Sequence, residues 1–183
     1  MRKITFGRTG LEVSVMGLGG GGPSRLGRTS EKSQEESEAV VREAVAGGIN
    51  IFDSSESYGT EAILGAVLKD VPRDEVVICT KIHGGTKGRL KTPEEVEASL
   101  DRSLANLQTD HLDVYMLHAV APHRYDVVVP ELLPVLKRMK EKGKRSRKLN
   151  LKLQRERNRK RKDVRVPCSS CPTSSLRTTK WSL

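Results

Sequence analysis

The sequence predicts an α/β fold in which about four strand–helix units follow an N-terminal β-hairpin. Three observations predict it. Short apolar runs, INIF at 49–52, VVICT at 76–80 and LDVYML at 112–117, alternate with longer segments whose apolar residues recur at helical spacing. The runs are nearly continuous in apolar character, as strands of a parallel sheet covered on both faces must be. Each also leads into a residue able to do chemistry: Asp53, Lys81 and His118.

Taken in order, Ile4 to Phe6 and Leu11 to Val13 flank a Gly-Arg-Thr-Gly turn and read as the hairpin. Val15 to Leu18 is expected to be the first strand of the main sheet, with Gly19 to Gly22 as its exit loop. Gly17, Gly19 and Gly22 formally satisfy G-x-G-x-x-G, but Pro23 and a polar stretch follow where a dinucleotide fold needs a helix, so that reading is set aside. Ser33 and Glu36 are spaced as a capping box, and Val40, Val41, Ala44 and Val45 form an apolar stripe that Gly47 and Gly48 terminate. Ile49, Ile51 and Phe52 make the second strand, which emerges at Asp53. Glu61 to Leu68 is a short helix with Ile63, Leu64, Val67 and Leu68 on one side, closed off by Pro72. After the VVICT strand, Thr92-Pro93-Glu94-Glu95 combines an N-cap, a proline at the first helical position and a capping glutamate. Val96, Leu100, Ser103, Leu104 and Leu107 supply that helix's buried face. Leu112 to Leu117 is the fourth strand. A last helix is expected from near Pro130 to Gly143, because Pro134 fits only near a helix start without losing a hydrogen bond.

The formal charge of +10 is unevenly spread. Up to residue 143 there are 19 Lys and Arg against 21 Asp and Glu; from Lys144 onward there are 14 against 2. The basic pI therefore describes the last 40 residues and says nothing about the folded part. Nothing in the chain nears the ~18 consecutive apolar residues of a membrane span, so no membrane partner is expected. The start MRKITFGRTG has no signal-peptide core, and Cys79, Cys168 and Cys171 are too few and too scattered for a disulfide framework. A reducing, cytoplasmic setting is the expectation. Cys168 and Cys171 form a lone C-x-x-C with no second ligand pair, and no metal site is expected.

Asp53, Tyr58, Lys81 and His118 are the candidate catalytic residues. In a parallel barrel, successive strands end on one face, where such barrels keep their chemistry. Reducing a carbonyl leaves negative charge growing on oxygen, so a site for it must stabilise that charge and supply a proton. A phenol can give the proton, an ammonium beside it favours its ionised form, a carboxylate holds the ammonium, and a neutral imidazole can direct the carbonyl oxygen. Taken singly, each residue has a plainer reading: a turn or cap aspartate, a solvated lysine, a packed tyrosine, a core or loop histidine. Together, with their flanking residues and the opening FGRTGLEVSVMGLGGG (Phe6 to Gly21), they resemble the aldo-keto reductase superfamily, in particular the branch of the potassium-channel β subunits and bacterial stress reductases.

That resemblance implies an NADP(H)-dependent oxidoreductase that reduces the carbonyl of a small aldehyde or ketone. It makes Tyr58 the proton donor, Lys81 its modulator, Asp53 the anchor of Lys81, and His118 the group that orients substrate. It also implies cofactor contacts from Asp53 and from Gly19, Gly20 and Gly21. The family has a Thr-Trp-like pair where this chain has Gly20 and Gly21, so contacts there could come only from the backbone. The family barrel has eight strand–helix units, typically in ~250 residues, and residues 1–143 match its N-terminal half. Most family contacts to the cofactor's phosphates and adenine come from loops after strands five to eight. Little or no reductase activity is therefore expected of the chain by itself, and a non-catalytic fragment or interaction protein that keeps the motif is the alternative. An open half barrel is also expected to self-associate through its unpaired strand edges.

Residues 144–183 are expected to be a disordered, non-homologous basic tail. Leu149, Leu151 and Leu153 alternate with polar residues and allow at most one short strand. RERNRKRK at 155–162 could contact nucleic acid or another polyanion without base specificity, or direct nuclear import, and Trp181 alone gives little basis for base stacking.

Overall fold

The computed structural model describes residues 1–86 and 88–141. The expectations for the basic tail, including the Leu149–Leu153 alternation, the 155–162 patch, Cys168, Cys171 and Trp181, lie outside the described residues, as does the end of the last helix at Gly143.

The hairpin pairs β1 (Lys3–Thr5) with β2 (Glu12–Ser14) in antiparallel register. The main sheet has four parallel strands, β3 (Leu18–Gly19), β4 (Ile51–Asp53), β5 (Val77–His83) and β8 (Val114–His118), in that spatial order. Between them run the helices α1 (Gln34–Ala46), α2 (Glu61–Leu68) and α3 (Pro93–Leu107), with α4 (Tyr125–Glu141) after the last strand. A small antiparallel pair, β6 (Gly85–Thr86) with β7 (Arg89–Leu90), lies between β5 and α3; the sequence reading missed it.

Each element has a local cause. Ser33 and Glu36 form a reciprocal capping box at the start of α1, and Thr92 with Glu95 does the same for α3, with Pro93 in the first turn. Strand alternation then sorts side chains onto two faces. On one, Phe52, Ile78, Ile82 and Tyr115 pack against the helices in the larger core, with Val41, Leu64, Leu104 and Leu136. On the other, Ile51, Val77, Cys79, Val114 and Met116 form a smaller cluster, covered by Val13, Phe6 and Leu11 of the hairpin. The hairpin is tied down through buried Asn50, whose Oδ1 accepts from Ser14 N–H at 2.7 Å and whose Nδ2 donates to Glu12 O at 3.0 Å. Asp53, Lys81, His83 and His118 continue the parity of this second face beyond the cluster, toward the carboxyl ends of the strands.

Several expectations need correction. The first sheet strand is Leu18–Gly19 rather than Val15 to Leu18: Val15 and Met16 are 47% and 59% exposed, and the Ser14 hydroxyl bonds Met16 O to make a turn before the strand begins. Val40 is exposed, and the buried stripe of α1 runs through Ser37 and Val41. β5 continues past Lys81 to His83. Helix α4 begins at Tyr125, with Pro130 and Pro134 inside it. Both prolines are exposed while Val128, Val129, Leu132, Val135, Leu136 and Met139 are buried. The two hydrogen bonds lost to proline thus lie on the solvent side, where water can satisfy the freed carbonyls, and the apolar stripe holds the helix.

Tyr115 is fully buried, and among the described residues its hydroxyl has no hydrogen-bond partner. Burial pushes its ionisation well above the ordinary phenol range. An unsatisfied buried hydroxyl costs roughly 1–3 kcal/mol, so Tyr115→Phe is expected to leave stability unchanged or raise it by about 1 kcal/mol. A clear fall in the denaturation midpoint would contradict this. No described helix is long and apolar enough to cross a membrane.

Candidate active site

Two long-range anchors fix the height at which the strands deliver their last residues. Arg73 donates to Thr109 Oγ1, Val76 O, His111 O and Asp113 Oδ2, and the Asp113 carboxylate also accepts from Ile78 N–H at 2.9 Å. This clamps the start of β8 to the start of β5, five residues before His83 and His118 come to lie directly opposite each other. The loop after β4 is held in turn by β5: Ser54 N–H donates to Cys79 O at 2.9 Å and Glu56 N–H to Lys81 O at 3.1 Å.

Asp53, Tyr58, Lys81 and His118 meet on this face. Lys81 Nζ donates to Asp53 Oδ2 at 2.5 Å and to Ser54 O at 2.8 Å. The Lys81 side chain is 15% exposed and that of Asp53 40%, so one end of the pair opens to solvent. Tyr58 Oη lies 3.1 Å from His118 Nε2, and Ser55 Oγ lies 2.9 Å from His118 Nδ1. Both imidazole nitrogens are therefore engaged, and the donor in each bond follows the ring's tautomer. Lys81 meets Tyr58 across the ring face, 5.2 Å from its centroid, rather than at the hydroxyl.

The three glycines assigned to cofactor contact differ from one another. A Cβ on Gly19 would meet nothing within 4 Å. Gly20 is engaged by the protein on both sides, its N–H donating to Asp53 O at 2.6 Å and its carbonyl accepting from Thr60 Oγ1 at 3.2 Å. Gly21 lies flat against the phenol: a Cβ there would sit 2.6 Å from Tyr58 Cε2. Its lack of a side chain thus has a steric reason, 37 residues away in sequence. Gly21→Ala is expected to push the ring off His118 and lower any Tyr58-dependent turnover at least ~10-fold, the scale expected when a reacting group is displaced by a fraction of an ångström or more; unchanged turnover would contradict that packing.

The sequence reading missed four further residues: Ser55, described above, and Glu56, Lys91 and His83. Glu56 accepts from His83 N–H at 2.8 Å and from Lys91 Nζ at 2.9 and 3.0 Å, and Lys91 also donates to Ser99 Oγ on α3 at 2.7 Å. Burial opposes ionisation of Glu56, but the bonds from Lys91 and His83 outweigh it and hold the carboxyl below its ordinary value of 4.5. Such a group stabilises the fold fully above that value, and the contribution is lost as the pH falls through the lower folded value. Glu56→Gln is expected to flatten the acid limb of stability against pH, followed by urea unfolding between pH 3 and 6; an unaltered limb would contradict it. His83 is the fourth, with its ring centroid 4.4 Å from that of His118. Its signal was available, since side chains two apart on a strand share a face, had the strand not been ended at Lys81. The Glu56–Lys91 pair had no local signal. Cys79, by contrast, is inert: burial first, then Asp53 and Asp113, push its thiol up to about 12.

A model of the Aldo/keto reductase family matches residues 15–146. The chain belongs to this family. It is 38% identical over 145 residues to L-galactose dehydrogenase of Arabidopsis thaliana, covering 76% of this chain and 44% of that protein. With NADH-specific methylglyoxal reductase of Escherichia coli (strain K12) it shares 32% identity over 165 residues, covering 79% and 50%. Among solved structures, an aldo-keto reductase from Klebsiella pneumoniae in complex with NADP and acetate superposes with a TM-score of 0.62 at 25% identity, over 81% of this chain and 48% of that one. The holo form of an aldo-keto reductase from Bacillus halodurans superposes with a TM-score of 0.67 at 24% identity, a likeness of fold. The chain spans about half the length of the curated relatives it matches. Its four parallel strands and their helices are thus a portion of the aldo-keto reductase (β/α)8 barrel, an α/β TIM-barrel architecture, preceded by the hairpin.

Proposed function

We propose that this aldo-keto reductase chain carries the chemical end of an NADP(H)-linked carbonyl reductase acting on small aldehydes or ketones in the cytoplasm. The observation that carries this is the Tyr58 hydroxyl bonded to His118, with the Lys81–Asp53 ion pair beneath its ring, all at the carboxyl ends of the strands. When bound, NADPH supplies the hydride to the carbonyl carbon. The chemistry of the donor set fits that need: a phenol, a cation held by a carboxylate and an imidazole meet on one face of the sheet. Asp53 and the Gly19 and Gly21 backbone are the groups here that would hold the cofactor's reactive end. As charge grows on the carbonyl oxygen, the Tyr58 O–H bond breaks and its proton goes to that oxygen. The charge left on the phenol is offset by the Lys81 ammonium over its ring, which Asp53 and the Ser54 carbonyl keep in place. His118, braced by Ser55 and bonded to Tyr58, fixes the direction of the substrate oxygen beside the phenol.

The choice of nicotinamide is open to direct test, because the relatives include a protein named for NADH and a structure holding NADP. Fluorescence titration of the 183-residue chain with NADPH and NADH, followed by nicotinamide oxidation at 340 nm with a small aldehyde, tests the proposal. Saturable NADPH binding with aldehyde-dependent oxidation supports it, and would overturn the expectation, drawn above from the family's cofactor loops, that the chain by itself has little or no activity. Neither binding nor oxidation at millimolar nucleotide overturns it in favour of a non-catalytic chain that retains the motif.

A further inference from the structure

His83 and His118 stand directly opposite in the β5–β8 register, on the face that holds the candidate site. Their rings lie 4.4 Å apart with planes inclined by 36°. His118 is held on both nitrogens, by Ser55 and Tyr58. The His83 backbone is held from the other side, its N–H bonded to Glu56, which is itself paired with Lys91. Two imidazoles fixed at this separation resist carrying charge at the same time.

We propose that His83 is a positioning residue that keeps the adjacent His118 neutral and square to Tyr58, so that the proton given to substrate comes from the phenol and not from an imidazolium. This presupposes the reductase chemistry proposed above. The other charged or titratable groups facing the pair are Lys81 on β5, Asp53 at the end of β4, Glu56 and Tyr58 in the following loop, and Lys91 before α3. Their balance favours the neutral ring: burial foremost, then His83 and Lys81, lower the ionisation of His118 from its ordinary value of 6.5, against the opposing pull of Asp53 and Glu56. Neutral His118 can hydrogen-bond a carbonyl oxygen without competing with Tyr58 as the acid.

The chain has four histidines, which makes the test direct. Imidazole resonances of the 15N-labelled 183-residue chain are followed from pH 4.5 to 8.5, with His118 assigned by its loss in His118→Gln. In the wild type, the His118 signal is expected to titrate below the ordinary imidazole value. In His83→Phe and His83→Asn, the His118 midpoint is expected to rise, because the neighbouring imidazole that opposes its charge is gone. The acid limb of turnover should move up in pH by the same amount. A wild-type His118 midpoint at the ordinary value, or a midpoint unchanged in both folded variants, overturns the proposal. A coupled titration in a chain without turnover would uphold the pairing and sink the reductase proposal; Tyr58-dependent turnover with uncoupled titrations would do the reverse.

Discussion

Replacing Tyr58 with phenylalanine is expected to lower aldehyde-dependent NADPH oxidation by about 10²-fold or more, the range lost when a positioned general acid is removed. The substitution deletes one oxygen and keeps the ring. The face over Lys81 and the contact with Gly21 survive, so the site's packing should persist while its proton source is gone. Stability should change little, because among the described residues the hydroxyl's hydrogen-bond partner is a single ring nitrogen of the partly exposed His118. A loss in kcat with little change in the affinity for NADPH is the expected pattern, since removing a group that acts in the transition state leaves ground-state binding alone. Turnover in Tyr58→Phe within ~3-fold of wild type would mean that the proton comes from elsewhere, and contribution factors of 10²–10⁴ leave little room for ambiguity.

Gly65→Val is expected to destabilise the helical layer strongly. Gly65 lies inside α2, where α3 passes so close that a Cβ would fall 2.7 Å from the backbone carbon of Leu107 and 2.8 Å from its Cα, and nearer still to the Asn106 carbonyl oxygen. Backbone atoms cannot rotate away, so the helices must separate. That separation opens the contacts of Leu64, Leu104 and Leu107, which are all buried. Overpacking costs ~1–3 kcal/mol and occasionally more; valine, with three carbons to place, belongs at or above ~3 kcal/mol, and alanine lower because its helix propensity returns ~1 kcal/mol. Urea unfolding of the two variants beside Gly19→Ala, whose Cβ has open space, checks this. Equal midpoints for Gly65→Val and Gly19→Ala would contradict the close helix approach.

What the chain discloses without coordinates follows from how far each cause reaches. The capping boxes at Ser33 and Thr92 are four-residue patterns, and they start their helices where expected. The parallel strands could be read because covering both faces forces a continuous apolar run, as in Val77 to Cys79. Errors arose where the deciding partner was remote or where solvent substituted for a partner. Pro130 and Pro134 sit in mid-helix because their lost bonds face water, which local rules about proline do not weigh. Val15 and Met16 look like strand residues, yet a Ser14 hydroxyl turn and Asn50, 36 residues on, decide where the sheet begins. At the site, Asp53, Lys81 and His118 stood out because strands deliver them in turn. Glu56, Lys91, Ser55 and the packing of Gly21 on Tyr58 depend on contacts that no local pattern records.

The central claim is that one face of a four-stranded parallel sheet places Tyr58, His118, Lys81 and Asp53 so that a carbonyl receives hydride at carbon and a proton at oxygen. Its most direct test is isotopic. The 183-residue chain is incubated with a small aldehyde and NADPH dideuterated at nicotinamide C4, and the alcohol product is weighed by mass spectrometry. An alcohol one mass unit heavier, formed by the wild type and reduced in yield in Tyr58→Phe, is the expected result. An alcohol without deuterium, or deuterated alcohol formed equally well without the Tyr58 hydroxyl, would contradict it.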